Sequence, residues 1–563
     1  MNQPVPAPAP QRRVKRNRYD SLRAPECGRW TPELTVSVVV PAYGAQHELD
    51  VTLAALAAQT YPPHLLDVIV VDDGSEPPLR MPELRPERTR FIGNHEGAWG
   101  VASAVDAGIA TAEGPIILRL DSDILPDRTH VEAHARWHHT ADYCVVIGNL
   151  GFVEIDADDL DLEQVRAAVE ADTVETLFGD RGTGQSWEVA LLERSDRLLD
   201  DELRAYTVTN GATISFTKAL YDRSGGMDTD LKLGSDTELG YRQAQAGAVF
   251  IPDAGARAWH LGLSQLQSRR DEGKRYRQPF VANRVPTLRH LRTHPGIAWT
   301  VPYVEVVIDA SEVSFEMATA SAASVLADNA EARVALVGPW STLKDGRVRP
   351  LDDPQLDLRL IREVFSGDPR VSYVESVAAT AAPAPFRLTL APGTVLRPNG
   401  LGEVLALADR ERVGRVKCLS AAQQGERPCA VLDRTAALAR ALQTRRPDED
   451  LDTAVEESWG LWWADGTAWF ADWEEPVEAP SQLLHRVGSL EASIKRLEAK
   501  EDELRRRVSR WNKTGNAARN EAKDWERAAR DWQQAADEWR RYDGGKKSFA
   551  QRAKGRLRRM LGE

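Results

Sequence analysis

A chain of 563 residues is too long for one hydrophobic core and implies three or four folding units. Its 42% apolar and 28% charged residues describe an ordinary folded protein with a charge-rich portion. A formal net charge of -13 argues against a general nucleic-acid binder, because the phosphate backbone would be repelled. The four cysteines, Cys27, Cys144, Cys418 and Cys429, show no metal-type spacing and suit a reducing compartment. The N-terminus lacks the apolar stretch of a signal peptide, and no apolar run approaches the ~20 residues of a membrane span. The expected location is cytoplasmic, or peripheral at the inner face of the cell membrane.

In chain order, residues 1–34 read as a disordered basic arm: a Pro-Ala run, then Gln11 to Arg18 rich in Arg and Lys. Val36-Ser37-Val38-Val39-Val40 has the character of a buried parallel strand and is closed by Pro41. Leu49, Leu53 and Leu56 lie on one face of a helix predicted over 47–59. Val68 to Val71 form a second strand ending in Asp72-Asp73-Gly74-Ser75. A third strand is predicted near Arg90-Phe91-Ile92, a helix over about 98–110, and a fourth strand from Ile116 to Leu120, ending in Asp121-Ser122-Asp123. Alternating strands and helices imply an α/β fold with a mainly parallel sheet, and such sheets bind ligands beyond the carboxyl ends of their strands. Those ends here carry Pro41, Asp72-Asp73 and the Asp121 triplet.

Residues 300–475 repeat the plan, with strands at 304–309, 333–338, 371–374 and 386–390. From Pro41 to Asp121 is 80 residues, and from Asp309 to Ala391 is 82, which suggests a duplicated fold. Ala391-Pro392-Gly393 stands where the acids stood, so the second copy is expected to be degenerate and to bind no metal. Leu461 to Phe470 reads as a hairpin around Asp465-Gly466, with Trp459, Trp462, Trp463, Trp469 and Trp473 as its expected core and a sugar-stacking platform as the alternative. Leu483, Leu490, Leu497, Leu504, Trp511, Ala518, Trp525, Trp532 and Trp539 recur every seven residues. That spacing predicts an α-helical coiled coil over 481–542 and hence a homo-oligomer. The tail 543–563 is basic and amphipathic, a candidate for anionic lipid, with a solvated tail as the alternative.

The chemistry is carried by an ordered set. Two carboxylates two residues apart, just past a buried strand, can turn toward a hard divalent cation. Pro41-Ala42-Tyr43 and Asp72-Asp73 precede them. Thr209-Asn210-Gly211-Ala212, Gly225-Gly226-Met227-Asp228 and Ser235-Asp236-Thr237-Glu238-Leu239-Gly240-Tyr241-Arg242 follow. At these motifs, over about residues 35–265, the chain resembles the family 2 glycosyltransferases, inverting enzymes with the GT-A fold. The resemblance implies a GT-A domain over 35–285, a nucleotide-diphospho-sugar donor, a glycan or lipid-linked acceptor and Mn2+ or Mg2+ as cofactor. Carried over by position, Pro41, Tyr43, Asp72, Asp73, Asn94, Gly97 and Asp121 would bind the donor. Asp123 and Asp121 would meet the metal, with His260 as a further ligand or a structural histidine. Asp236 would be the general base, with Glu238 as understudy. Asn210, Gly211 and Trp259 would face the acceptor, Asn210 having the alternative of capping a turn.

Two positions depart from the family pattern. Ser235 replaces the Glu that usually precedes the base, and Ala104-Val105-Asp106 replaces an Ala-Arg-Asn triplet. The function expected is sugar transfer from a nucleotide diphosphate to a hydroxyl in cell-envelope polysaccharide synthesis. The alternative is a catalytically impaired sugar-nucleotide-binding scaffold acting through its coiled coil. A nucleotidyltransferase on a related fold would leave Asp236 to Arg242 without a role.

Overall fold

The computed structural model describes residues 11–181, 183–185, 189–262, 269–294, 296–328, 331–344, 346, 349–420 and 427–474, with 489, 491–506, 523–524, 526–531 and 533–534. The chain divides into two units, 1–473 and 474–563.

The first unit opens with β1 (Val36–Ala42), α1 (Gln46–Leu56), β2 (Leu66–Asp72), β3 (Thr89–Gly93), α2 (Val101–Thr111) and β4 (Ile116–Leu120). β5 (Ile124–Pro126), α3 (His130–His138), β6 (Cys144–Val153), α4 (Leu162–Glu170), β7 (Thr183–Gln185) and α5 (Val189–Arg194) follow. β8 (Thr213–Thr217), α6 (Lys218–Arg223), α7 (Ser235–Gln245), β9 (Val249–Leu261) and α8 (Arg270–Arg284) complete this sheet and its helices. The strands pair in the order β3-β2-β1-β4-β8-β6-β9-β5, with β7 on β6. β3, β2, β1 and β4 run parallel, and β8 is antiparallel to β4. Residues alternate across a strand, so β1 feeds two cores. Val36, Val38 and Val40 pack with Leu49 and Leu53 of α1, and Val39 packs with Ala104 and Val105 of α2. Ser37 within this apolar run is satisfied, its hydroxyl donating to Asp67 at 2.7 Å and accepting from Gly114 N at 2.9 Å.

The next segment contains β10 (Val304–Asp309), α9 (Phe315–Asp328), β11 (Ala332–Val337), α10 (Leu356–Phe365), β12 (Val371–Val374), β13 (Phe386–Leu390) and β14 (Thr394–Leu396). It continues with α11 (Gly400–Arg410), β15 (Arg415–Leu419), β16 (Ala430–Arg434), α12 (Thr435–Thr444), α13 (Leu451–Ser458), β17 (Leu461–Asp465) and β18 (Phe470–Asp472). β14 and β18 form a two-stranded sheet, and the other strands form the second large sheet. Its order, β12-β11-β10-β13-β16-β15-β17, is strand for strand that of β3-β2-β1-β4-β8-β6-β9. The directions agree too: β16 is antiparallel to β13 and to β15, and β17 is parallel to β15. Asp121 N donates to Ala212 O, and Ala391 N donates to Cys429 O in the same place. Ile124 faces His260 across β5 and β9, while Thr394 faces Asp472 across β14 and β18.

Two expectations are corrected. Residues 11–34, read as disordered, are packed from Gln11 onward: Val14 and Leu22 are buried, and Asn17 Nδ2 donates to Leu198 O and Phe250 O. Arg13 pairs with Glu449 at 2.5 Å. The partners lie far away in sequence, where local composition cannot register them. The hairpin around Gly466 is also absent. β17 pairs with β15, and β18 turns away to pair with β14. Trp459 is buried, but Trp462 and Trp463 are exposed on the edge strand.

The fully buried Arg440 of α12 ties the two sheets together. It donates to Gly247 O, to Ala248 O at 2.7 Å, and to Val14 O and Arg16 O of the N-terminal segment at 3.1 and 3.0 Å. In the second unit 491–506 is helical, and Ile494, Leu497 and Leu504 are exposed. Leu483, Leu490, Trp511, Trp525, Trp532, Trp539 and the tail 543–563 lie outside the described residues. Among the described residues, no helix is long and apolar enough to cross a membrane.

Candidate active site

The parallel strands β1, β2 and β4 end at one edge, and the sequence of each end explains what it holds there. After β2 the Asp72-Asp73-Gly74-Ser75 turn needs Gly74 at φ +87°, a region that favours glycine. Asp72 accepts from Ser75 N at 2.8 Å and Leu79 N at 3.0 Å. Partial burial works against its charged form, but the hydrogen bonds from Ser75 and Leu79 prevail and hold its pKa below the usual carboxylate value. Ser75 Oγ accepts from Gly44 N at 2.8 Å, which joins this turn to the end of β1. Asp73 accepts from Asn94 Nδ2 at 2.6 Å and Gly100 N at 2.7 Å, so it organises the loop before α2. Tyr43 beside them is 71% exposed and presents a free ring face. Gly97, also exposed, lies in that loop at φ +71°, and Pro41 is buried within β1.

Asp121 and Asp123 flank Ser122 beyond β4. Asp123 Oδ2 lies 3.5 Å from His260 Nε2, because β5 and β9 pair Ile124 with His260 and Leu261 N donates to Asp123 O at 3.0 Å. The His260 ring stacks on Phe152 at 5.4 Å, and its Nδ1 sits 3.2 Å from Leu261 O. Burial, reinforced by Asp121 and opposed by His260, pushes the Asp123 carboxyl up to about 6. Among the described residues no group of three His, Cys, Asp or Glu side chains is close enough to hold a metal alone. The Asp123–His260 pair fits a smaller demand. Two ligands each ~2.1 Å from one ion stand ~3 Å apart at a right angle, and such ions commonly take the rest of their shell from substrate phosphates and water.

Segment 209–212 links this edge to α7. Ala212 O receives Asp121 N at 3.0 Å, and Thr209 Oγ1 donates to Asp236 O at 3.2 Å. Asp236 therefore stands in the first turn of α7, close to the strand ends, its Oδ1 accepting from Thr237 N at 2.8 Å. Glu238 does not share that setting. It is buried and forms a forked ion pair with Arg242 at 2.6 and 2.7 Å. Asn210 Oδ1 accepts from Thr213 N at 3.3 Å, the turn cap its sequence also allowed. It lines a small cavity with Asn149, Arg197 and Asp253. Trp259 is 4% exposed and packs on Phe178, its Nε1 donating to Asp127 at 3.2 Å. An acceptor has no access to it.

Arg119 belongs to this site although no motif in the sequence singles it out. It lies 3.1 Å from Asp121, and the signal was a lone charge in the buried run Ile116–Leu120. The altered helix triplet is also explained: Val105 is buried in the core, and Asp106 accepts from Tyr221 Oη at 2.5 Å.

Residues 37–183 match the family model described as Glycosyl transferase family 2. The chondroitin synthase of Pasteurella multocida (strain Pm70) is 23% identical over 297 residues, which cover 49% of this chain and 30% of that protein. The validoxylamine A glucosyltransferase of Streptomyces hygroscopicus subsp. limoneus is 28% identical over 225 residues, 39% of this chain and 50% of that protein. The chain thus spans about a third to a half of the length of these curated relatives. Among solved structures, a mannosyltransferase from Pyrobaculum calidifontis in complex with GDP-Man and Mn2+ aligns at 18% identity with a TM-score of 0.30, covering 50% of this chain and 76% of that one. The family match begins in β1, contains the Asp72-Asp73 and Asp121-Ser122-Asp123 strand ends, and runs to β7; residues 37–183 are a glycosyl transferase family 2 domain.

Proposed function

We propose that the first sheet, residues 35–285, transfers a sugar from a nucleotide diphosphate to a hydroxyl of a glycan or lipid-linked acceptor, with inversion. The observation that carries this reading is the approach of Asp123 to His260 at 3.5 Å beside Asp121, at the edge where Tyr43 and Asp73 also stand. Asp123 and His260 would hold Mn2+ or Mg2+, which supplies charge neutralisation for a leaving diphosphate. Tyr43 offers its ring to the nucleobase, and Asp73 with Asn94 shapes the loop that receives the nucleoside. Asp236 takes the proton of the acceptor hydroxyl, as an inverting displacement needs one base and no protein nucleophile. The second sheet is a degenerate copy: Ala391, Gly393 and Asp472 occupy the places of Asp121, Asp123 and His260. Asp452, in the first turn of α13 as Asp236 is in α7, is consumed by ion pairs with Arg415 and Lys417. A cytoplasmic setting, envelope polysaccharide as product, a homo-oligomer through 481–542 and lipid contact through 543–563 complete the proposal.

The test is release of nucleoside diphosphate from a panel of nucleotide sugars with Mn2+ and candidate acceptors. Wild type is expected to turn over, and Asp123→Ala and Asp236→Asn to lose turnover. Donor binding without turnover by wild type would instead favour the scaffold reading.

A further inference from the structure

β4 is a central strand whose five residues are all buried, and Arg119 alone among them is charged. Its side chain leaves the sheet on the face opposite Leu118 and Leu120, toward the segment before β8. Nη2 lies 3.1 Å from Asp121 Oδ1, and Nε is buried with no hydrogen-bond partner among the described residues. The guanidinium is pressed against Gly211. A Cβ there would stand 2.0 Å from Nη2, 2.2 Å from Cζ and 2.4 Å from Nη1. Gly211 is not among the glycines at positive φ, so its backbone does not demand glycine; the guanidinium does. The same segment carries Ala212, which receives Asp121 N, and Thr209, which reaches Asp236 O.

We propose that Arg119, seated on Gly211, is a positioning residue for donor binding. It fixes one carboxylate oxygen of Asp121 so that the other is presented to the nucleotide sugar, and it sets the spacing between Asp121 and the segment leading to Asp236. Its own side chain is 8% exposed, so it acts through Asp121. A charge this deep is costly unless it is paired, and among the described residues the acid it pairs with stands at the strand end. This inference rests on the donor-site reading given above.

The test uses the full chain with Mn2+ and, in turn, UDP, GDP, ADP and dTDP, followed by calorimetry and by the electron paramagnetic resonance of Mn2+. Wild type should bind at least one Mn2+–nucleotide pair, and Asp123→Ala should lose it. Arg119→Gln should weaken that nucleotide by about tenfold or more, because a charge-assisted bond to the presenting carboxylate is gone, with melting shifted by only a few degrees. Arg119→Lys should recover part of the affinity, since a single ammonium replaces the fork incompletely. Gly211→Ala should weaken binding like Arg119→Gln, by displacing the guanidinium that remains. Wild-type affinity in Arg119→Gln would reduce Arg119 to a structural cation and overturn the inference. If that variant does not fold, wild-type affinity in Gly211→Ala overturns it equally. Failure of wild type to bind any Mn2+–nucleotide pair would remove the donor site itself, a result distinct from a failure at Arg119.

Discussion

Glu238 and Asp236 are two residues apart and both acidic, yet the structure gives them different work. Glu238 points into the protein and neutralises Arg242, which also donates to Ser224 O. Asp236 remains half-exposed in the first turn of α7. Removing one partner of a buried ion pair leaves the other uncompensated, so Glu238→Ala is expected to cost ~3 kcal/mol of stability. The rate per folded molecule should hold. A general base contributes ~10^2 to 10^4-fold, so Asp236→Asn should show the opposite pattern: near-native melting with turnover down by at least that lower figure. Thermal melts paired with initial rates separate the two. A rate loss in Glu238→Ala beyond its unfolded fraction would move the base to Glu238.

At the scale of elements, α3 carries His130, His134 and His138 on one face at intervals of four, and all three are buried against β8. His130 Nε2 meets Thr213 Oγ1 at 2.9 Å, His134 meets Thr213 and Ser215 at 3.1 and 2.9 Å, and His138 meets Ser215 at 2.7 Å. Helical period four against strand period two makes this match possible. Burial pulls His130 down to about 4 and His138 to about 3, and it drives His134 well below the usual value. Unfolded histidine takes its proton near 6.5, whereas these stay neutral in the folded chain to much lower pH. Between about 6.5 and 4 the unfolded state therefore binds more protons, and stability falls as pH falls, by ~1.4 kcal/mol per pH unit for each histidine. Stability from this source is fully present above 6.5. Melting curves from pH 7.5 to 4.5 should show the decline, and His134→Gln should make it shallower by removing one of the three contributions. A melting temperature independent of pH over that range would refute this reading of α3.

For the whole molecule, the first unit holds two sheets of the same strand order, joined by Arg440 and by the N-terminal segment. The second unit is expected to set the oligomeric state, because Leu497 and Leu504 recur seven residues apart and are exposed on the described helix. Deleting 474–563 should lower the number of protomers per particle, read as the light-scattering mass divided by the mass of the truncated chain, while the first unit keeps its melting transition. An unchanged number of protomers would place self-association elsewhere.

The sequence by itself determined the strand-and-helix alternation, the edge at which Asp72, Asp73, Asp121 and Asp123 gather, and the absence of acids at Ala391 to Gly393. These follow from local period and from turn chemistry at strand ends, both written in neighbouring residues. Only the tertiary structure decided that His260 meets Asp123, that Glu238 is spent on Arg242, and that Trp259 is buried. It alone seated Arg119 on Gly211 and packed residues 11–34 onto segments hundreds of positions away. Each of these depends on strand order and on pairing between distant segments, and no spacing along one chain encodes which distant partner a side chain will find.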